Sequence, residues 1–286
     1  MTLTLLGLLG TGLVDPRSAV VHADDPGLTR GDGCFEGCRV RTDGSGRSQV
    51  DKLDAHLARM RRSASALQLP FDADEWRVLV DKALAACVTP GEWAMKLLLT
   101  RGPAGGTPVG LLTVSALPAE YPRQRRDGIA VATLDRGTAA DAFARAPWLL
   151  GGVKALSYAV NMAAQREAVR RGAEDVIFVS ADGFVLEAPT SSVVWAVGRA
   201  LFTTPLDGTG ILGGTTQQLL FERAAAAGWR TEAARARVAD LFAADSLWLV
   251  GSVRGPVDVV RIDGVVRARD TARTAEVRTL CGFGRQ

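Results

Sequence analysis

Gly151-Gly-Val-Lys-Ala-Leu-Ser-Tyr158 contains the residue from which the rest of the chain can be read. The sequence carries 34 basic residues, yet its only lysines are Lys52, Lys82, Lys96 and Lys154. Arginine can place positive charge anywhere, but it cannot lose its proton and condense with an aldehyde as a lysine amine can. Lys154 follows two glycines and precedes a helical pattern over Ala155–Arg171 that stops at Gly172, so it is fixed at a segment junction. Further on, Gly183-Phe-Val-Leu-Glu-Ala-Pro-Thr-Ser-Ser-Val-Val-Trp195 sets one acid, Glu187, in an otherwise apolar and hydroxylic run. Alone, a lysine at a helix start is a solvated charge and a strand glutamate faces water or an arginine. Together, a sequestered amine and a sequestered carboxylate point to pyridoxal phosphate chemistry.

Length and composition agree with an enzyme of two domains. At 286 residues, 47% of them apolar, the chain can bury a large core. The net charge of +3 comes from scattered, nearly balanced charges, which gives no basic stripe for nucleic acid and no polybasic membrane tract. Cys34, Cys38, Cys87 and Cys281 do not form a disulfide framework, so reduced thiols and a cytoplasmic location are expected. His22 and His56 are not arranged as zinc ligands, and no metal is expected. The apolar opening Met1–Val14 lacks a basic start and is broken by Gly7, Gly10 and Gly12, which reads as a strand and turn rather than a span.

The pattern along the chain divides it into a small N-terminal α+β domain over residues 1–117, a proline- and arginine-containing linker over 118–128, and a larger C-terminal domain over 129–286 that carries Lys154. Strands are expected at Leu3–Leu9, Cys34–Arg41, Trp93–Thr100 and Leu111–Ala116, with helices at Val50–Ala66 and Asp74–Ala86. In the second part, Val176–Ser180 is expected to pair with Phe184–Glu187, Val193–Val197 with Ala200–Thr203, and Val259–Ile262 with Val265–Ala268. A strand at Leu247–Val250 and a helix at Thr216–Ala227 complete the pattern. Hairpin signals outnumber crossovers, so a barrel-like or curled sheet flanked by helices is expected.

Six stretches, in order, carry a resemblance: Arg30-Gly-Asp-Gly-Cys-Phe-Glu-Gly-Cys-Arg39, His56-Leu-Ala-Arg-Met60, Val153-Lys-Ala-Leu-Ser-Tyr158, Gly183-Phe-Val-Leu-Glu187, Gly210-Ile-Leu-Gly-Gly-Thr-Thr216 and Gly251-Ser-Val-Arg-Gly255. They resemble the successive motifs of the class IV aminotransferases, which include branched-chain aminotransferases, D-amino-acid aminotransferases and aminodeoxychorismate lyases. The resemblance implies the α+β, two-domain pyridoxal phosphate fold type IV, a homodimer with the cofactor in a cleft, and a small-molecule amine as substrate. It implies Lys154 as cofactor lysine and proton shuttle, and Glu187 as partner of the pyridine nitrogen. Arg59, Thr215, Thr216 and Ser252 would hold the phosphate, and Tyr158 would face the ring hydroxyl. Phe35, Arg39, Arg254 and Arg30 would meet the substrate.

The Lys154–Met162 run and Gly251-Ser-Val-Arg-Gly-Pro256 look more like aminodeoxychorismate lyases, which convert 4-amino-4-deoxychorismate to 4-aminobenzoate and pyruvate for folate biosynthesis. The loop Arg101–Pro108 lacks the arginine and histidine, two residues apart, that mark the D-amino-acid enzymes. Against the lyase, Glu36-Gly37 stands where lyases carry a threonine pair, Phe35-Glu36-Gly37 with Arg39 is closer to the branched-chain enzymes, and Gln217 replaces a common arginine. The lyase is the first reading, an aminotransferase for branched-chain or D-amino acids the alternative, and a non-catalytic cofactor-binding relative the remote one.

Overall fold

The computed structural model describes residues 3–284, so Met1 and Thr2 of the apolar opening Met1–Val14 lie outside the described residues. The chain forms two compact units. One holds the described residues up to Pro118 together with Val153–Tyr158; the other holds Ala119–Gly152 and the described residues from Ala159 onward. The division departs from the expected one in an informative way, because the lysine-bearing segment belongs with the first unit.

The first unit contains β1 (Leu3–Leu8), β2 (Gly12–Val14), α1 (Pro26–Thr29), β3 (Gly33–Thr42), β4 (Ser48–Val50), α2 (Leu53–Ala66), α3 (Ala73–Ala86), β5 (Gly91–Thr100) and β6 (Val109–Ala116). Its strands form one antiparallel sheet in the order β2-β1-β6-β5-β3-β4. The alternation of β3 sends Cys34, Cys38 and Val40 to the side covered by α2 and α3, where they pack with Leu57, Met60, Trp76 and Val80. α2 buries His56, Leu57, Arg59, Met60, Ser63 and Ala64, a stripe of helical period in which two of the inward positions are a histidine and an arginine. α3 starts where expected, with the Asp72 carboxylate accepting from the backbone N–H of Asp74 and Glu75.

In the second unit, α4 (Tyr121–Asp127) replaces the expected linker. Pro122 in its first turn, Arg125 and Arg126 in its last and Gly128 in a positive-φ conformation are helix start and stop signals that the proline and charge content obscured. Then follow β7 (Ile129–Asp135), a 3₁₀ turn at Pro147–Leu149, α5 (Ala159–Arg170), β8 (Asp175–Val179), β9 (Ser192–Val197), β10 (Ala200–Thr203), α6 (Thr215–Ala226), β11 (Arg230–Ala233), α7 (Val238–Ala243), β12 (Ser246–Gly251), β13 (Gly255–Ile262), β14 (Val265–Val266) and α8 (Thr271–Leu280). The sheet runs β11-β10-β9-β12-β13-β7-β8, with β14 on β13.

The expected hairpins form at β9–β10 and β13–β14, while Phe184–Glu187 returns along β8 through Ser180 N–H to Phe184 C=O at 2.8 Å and Phe178 N–H to Glu187 C=O at 2.9 Å. Three neighbouring pairs, β10–β11, β13–β7 and β7–β8, are parallel, a crossover content that hairpin counting missed. Trp195, Leu247 and Leu249 pack with Leu241 of α7 in one cluster. Val194, Trp248 and Val250 pack with Leu220 of α6 and Val277 of α8 in another. All four cysteines are free and buried. No helix among the described residues is long and apolar enough to cross a membrane.

Candidate active site

In the first unit, the segment around Lys154 is extended rather than the start of a helix. Leu156 N–H donates to the Gly33 carbonyl at 2.8 Å and Phe35 N–H donates to the Lys154 carbonyl at 3.0 Å, which adds a short antiparallel stretch at Cys34 and Ala155 to the edge of β3. Lys154 N–H donates to Ser63 Oγ of α2 at 3.1 Å. Both backbone polar groups of Lys154 are therefore bonded within this unit. Small residues make the approach possible: a Cβ on Gly33 would stand 2.7 Å from the Leu156 side chain, and one on Gly31, whose φ is +72°, would stand 2.6 Å from Ser157 Oγ.

The amine of Lys154 lies 4.4 Å from the centre of the Phe35 ring and 5.7 Å from that of Tyr158. The two rings meet edge to face at 5.3 Å. Phe35 and Tyr158, expected as substrate and cofactor contacts, are thus brought to the lysine by strand alternation and by the tetrapeptide step from 154 to 158.

On the opposite face of β3, Glu36 is fully buried and accepts from Arg59 Nε at 2.7 Å, from Arg59 Nη2 at 2.7 Å and from His56 Nδ1 at 2.7 Å. Burial by itself would raise the Glu36 carboxyl, but the hydrogen bonds from Arg59 and His56 prevail and hold it down at about 2. His56 is lowered, chiefly because burial disfavours the imidazolium, so a neutral ring donates its Nδ1–H to the carboxylate. Sequence reasoning treated Glu36 only as a departure from the lyase pattern and did not assign His56. The signal was present: in a β3 face that otherwise carries Cys34, Cys38 and Val40, an acid must be buried and needs cationic partners from the helix above.

In the second unit, Glu187 is half-buried, and its Oε2 accepts from the backbone N–H of Leu212 at 3.1 Å. That bond orients a carboxylate which the preceding apolar residues Val185 and Leu186 anchor in the core. Thr215 and Thr216 open α6 after Gly214, which provides no side-chain cap. Both hydroxyls meet Ser252 Oγ, at 2.9 and 3.0 Å. Three hydroxyls converging on the positive end of a helix form a donor set suited to a phosphate dianion.

The other expected substrate contacts are placed differently. Arg39 is buried and paired with Asp51 at 2.7 Å through Nε and with Glu92 at 2.9 Å. Arg254 is buried and gives Nη2 to Asp175 at 2.7 Å and to Ser191 Oγ at 3.2 Å, while its enclosed Nε has no partner among the described residues. Each of these two arginines meets a carboxylate of its own unit, half-buried Asp51 for Arg39 and buried Asp175 for Arg254. Arg30 is exposed just after α1. Among the described residues, no group of three or more histidine, cysteine, aspartate or glutamate side chains is arranged to hold a metal ion.

The donor chemistry fits the cofactor expected from the sequence. One unit presents an amine beside two aromatic faces, the other an oriented carboxylate and a hydroxyl-lined helix N-terminus.

Comparison with known proteins gives the same direction. The family model for amino-transferase class IV matches residues 33–262. A bifunctional aminodeoxychorismate lyase / D-amino acid transaminase of Mycobacterium tuberculosis is 44% identical over 262 residues, which is 88% of this chain and 89% of that protein. A hypothetical aminotransferase from Mycobacterium tuberculosis, solved in its PLP-bound form, is 42% identical with a TM-score of 0.92 over 97% of this chain and 98% of its own. A fold IV transaminase from Curtobacterium pusillum is 40% identical with a TM-score of 0.89 over 97% of each chain.

Proposed function

The chain belongs to the class IV aminotransferase family, and from that premise we propose that it is a pyridoxal 5′-phosphate-dependent aminodeoxychorismate lyase, converting 4-amino-4-deoxychorismate to 4-aminobenzoate and pyruvate. The observation that carries the reaction class is Lys154, a lysine amine set against Phe35 and Tyr158 with its own backbone fixed on both sides. The lyase assignment draws support from the mycobacterial relative, whose name includes that activity.

The cofactor, when bound, supplies an aldehyde for the amine and a cationic ring that draws electrons from the substrate carbon next to nitrogen. Lys154 would hold the cofactor through its aldehyde, and its free Nζ would take the proton from the amine-bearing carbon of the substrate. Glu187 would accept a hydrogen bond from the protonated pyridine nitrogen and favour that form. Arg59, Thr215, Thr216 and Ser252 would hold the phosphate. Breaking the bond between the ring carbon and the enolpyruvyl oxygen aromatises the ring, which drives the elimination.

The Phe35-Glu36-Gly37 stretch offers no acid to the departing group. Gly37 has no side chain, and Glu36 is held on the far side of β3 as a carboxylate. Beside the Phe35 ring stand the Lys154 amine, which becomes an ammonium once it has taken the substrate proton, and Tyr158. We assign the proton to Lys154.

A second reading is amino transfer from a D-amino acid to a keto acid, favoured by the other half of the mycobacterial relative's name. In the loop that would carry a carboxylate trap, Arg101 is bound to Asp32 at 2.5 Å and to the Leu67 carbonyl at 2.6 Å, which weakens that reading as the main activity. The deciding experiment supplies enzymatically generated aminodeoxychorismate and measures 4-aminobenzoate and pyruvate, beside a panel of L- and D-amino acids with keto acids. Stoichiometric aromatic product and pyruvate are expected. Amino transfer without aromatic product would replace the lyase reading with the transaminase one. Borohydride reduction of the loaded enzyme should fix the cofactor to residue 154, and modification at Lys96 would sink the lysine assignment.

A further inference from the structure

We propose that Glu36 is a positioning residue for the phosphate arginine, a carboxylate that sets the direction of the Arg59 guanidinium. The inference rests on the reading of Arg59 as a phosphate ligand.

The geometry is specific. Arg59 Nε reaches one oxygen of Glu36 and Nη2 the other, both at 2.7 Å, a two-bond fork that fixes the plane of the guanidinium. His56, one turn earlier on α2, donates to Glu36 Oε2 at 2.7 Å and locks the carboxylate in turn. Ser63, one turn after Arg59 on the same helical face, receives the backbone N–H of Lys154 at 3.1 Å.

The surroundings make a purely structural role a poor explanation. Glu36 and His56 are fully buried and Arg59 is 5% exposed, beside Cys34, Cys38, Leu57 and Met60. In such a setting three aliphatic side chains would pack at no desolvation cost, and replacing buried ionic groups by apolar ones is often neutral or stabilising. A buried ionic cluster held by a two-bond fork serves orientation of the guanidinium by fixing its plane.

The test measures binding of pyridoxal 5′-phosphate and of pyridoxal, which lacks the phosphate, to the apo-protein by equilibrium dialysis. It compares wild type with Glu36→Gln, Glu36→Asp, Arg59→Ala and the double variant Glu36→Gln/Arg59→Ala. Glu36→Gln should weaken pyridoxal phosphate by about ten- to a hundred-fold while pyridoxal changes less than about two-fold, since a hydrogen bond to a charged group is worth one to two orders of magnitude in affinity. The double variant should be no weaker than Arg59→Ala alone. Equal losses for both ligands, or additive losses in the double variant, would overturn the proposal. If Arg59→Ala leaves the preference for the phosphorylated ligand intact, the arginine assignment itself fails, which is a different outcome from failure of Glu36 alone. Glu36→Asp keeps the charge but draws both oxygens back from the guanidinium by one methylene, so it covers the case in which Glu36→Gln does not fold, and an Asp variant with wild-type preference for the phosphate would equally refute the proposal.

Discussion

Arg254 allows a sharp choice between a structural and a substrate-binding role. Its guanidinium is buried and donates to Asp175, which is 1% exposed, at 2.7 Å. Arg254→Met keeps much of the volume and removes the charge, leaving the Asp175 carboxylate buried without its cation. Removing one partner of such a pair costs about 3–5 kcal/mol, a large part of a typical stability of about 5–15 kcal/mol. For a unit of this size that corresponds to a fall of about 10 °C in the melting temperature. Differential scanning calorimetry of the apo-protein reads this directly, without ligand linkage raising the apparent stability. The double variant Arg254→Met/Asp175→Asn should recover most of the loss, because no uncompensated charge remains. If Arg254→Met melts with the wild type and only raises KM, the arginine serves the substrate and the ion pair reasoning is wrong.

Acid stability should report on the Glu36 cluster. Glu36 is lowered to about 2, so its contribution is complete above the ordinary glutamate range near 4.5 and is lost as the pH falls toward 2. His56 is also lowered and stays neutral in the fold while the unfolded chain takes up a proton, so stability also falls as the pH drops below about 6.5. Urea midpoints from pH 7 to pH 3 should therefore decline in wild type and decline less steeply in Glu36→Gln; parallel slopes would contradict the assignment. Gly33→Ala would drive a methyl onto the Leu99 backbone carbonyl of β5 and the Leu156 side chain, and should lower turnover at least ten-fold by shifting β3 and the Lys154 segment paired with it. A fully active Gly33→Ala enzyme would show that this edge is not what holds the lysine. Thr216→Val with Ser252→Ala removes two of the three hydroxyls before α6 and should weaken pyridoxal phosphate by about ten-fold or more but leave pyridoxal unchanged in the same dialysis; equal retention of both ligands would remove the phosphate role.

Much of the architecture was written in local pattern. The alternation from Cys34 to Arg41, the periods of α2 and α3, the β9–β10 and β13–β14 hairpins and the glycine entry to α6 each depend on residues a few positions apart, and each element formed within a few residues of the expected bounds. The identity of Lys154 and Glu187 as the unusual amine and acid was legible for the same reason, since the lysines are few and each lies in a run of contrasting chemistry. The start of the helix after Lys154 was misread because Ala155–Tyr158 has helical composition; pairing with Gly33 and Phe35, distant in sequence, outweighed that propensity.

The sequence by itself determined the family motifs, the hairpins and the candidate lysine, because these rest on side-chain chemistry and short-range backbone preference. Only the tertiary structure decided which charged residues are committed to one another. Arg39, Arg59 and Arg254 read alike along the chain as available cations, yet their partners Asp51, Glu36 and Asp175 come from other strands and turns. A buried charge is defined by what lies across from it, and that is fixed only when the sheets close their cores around it.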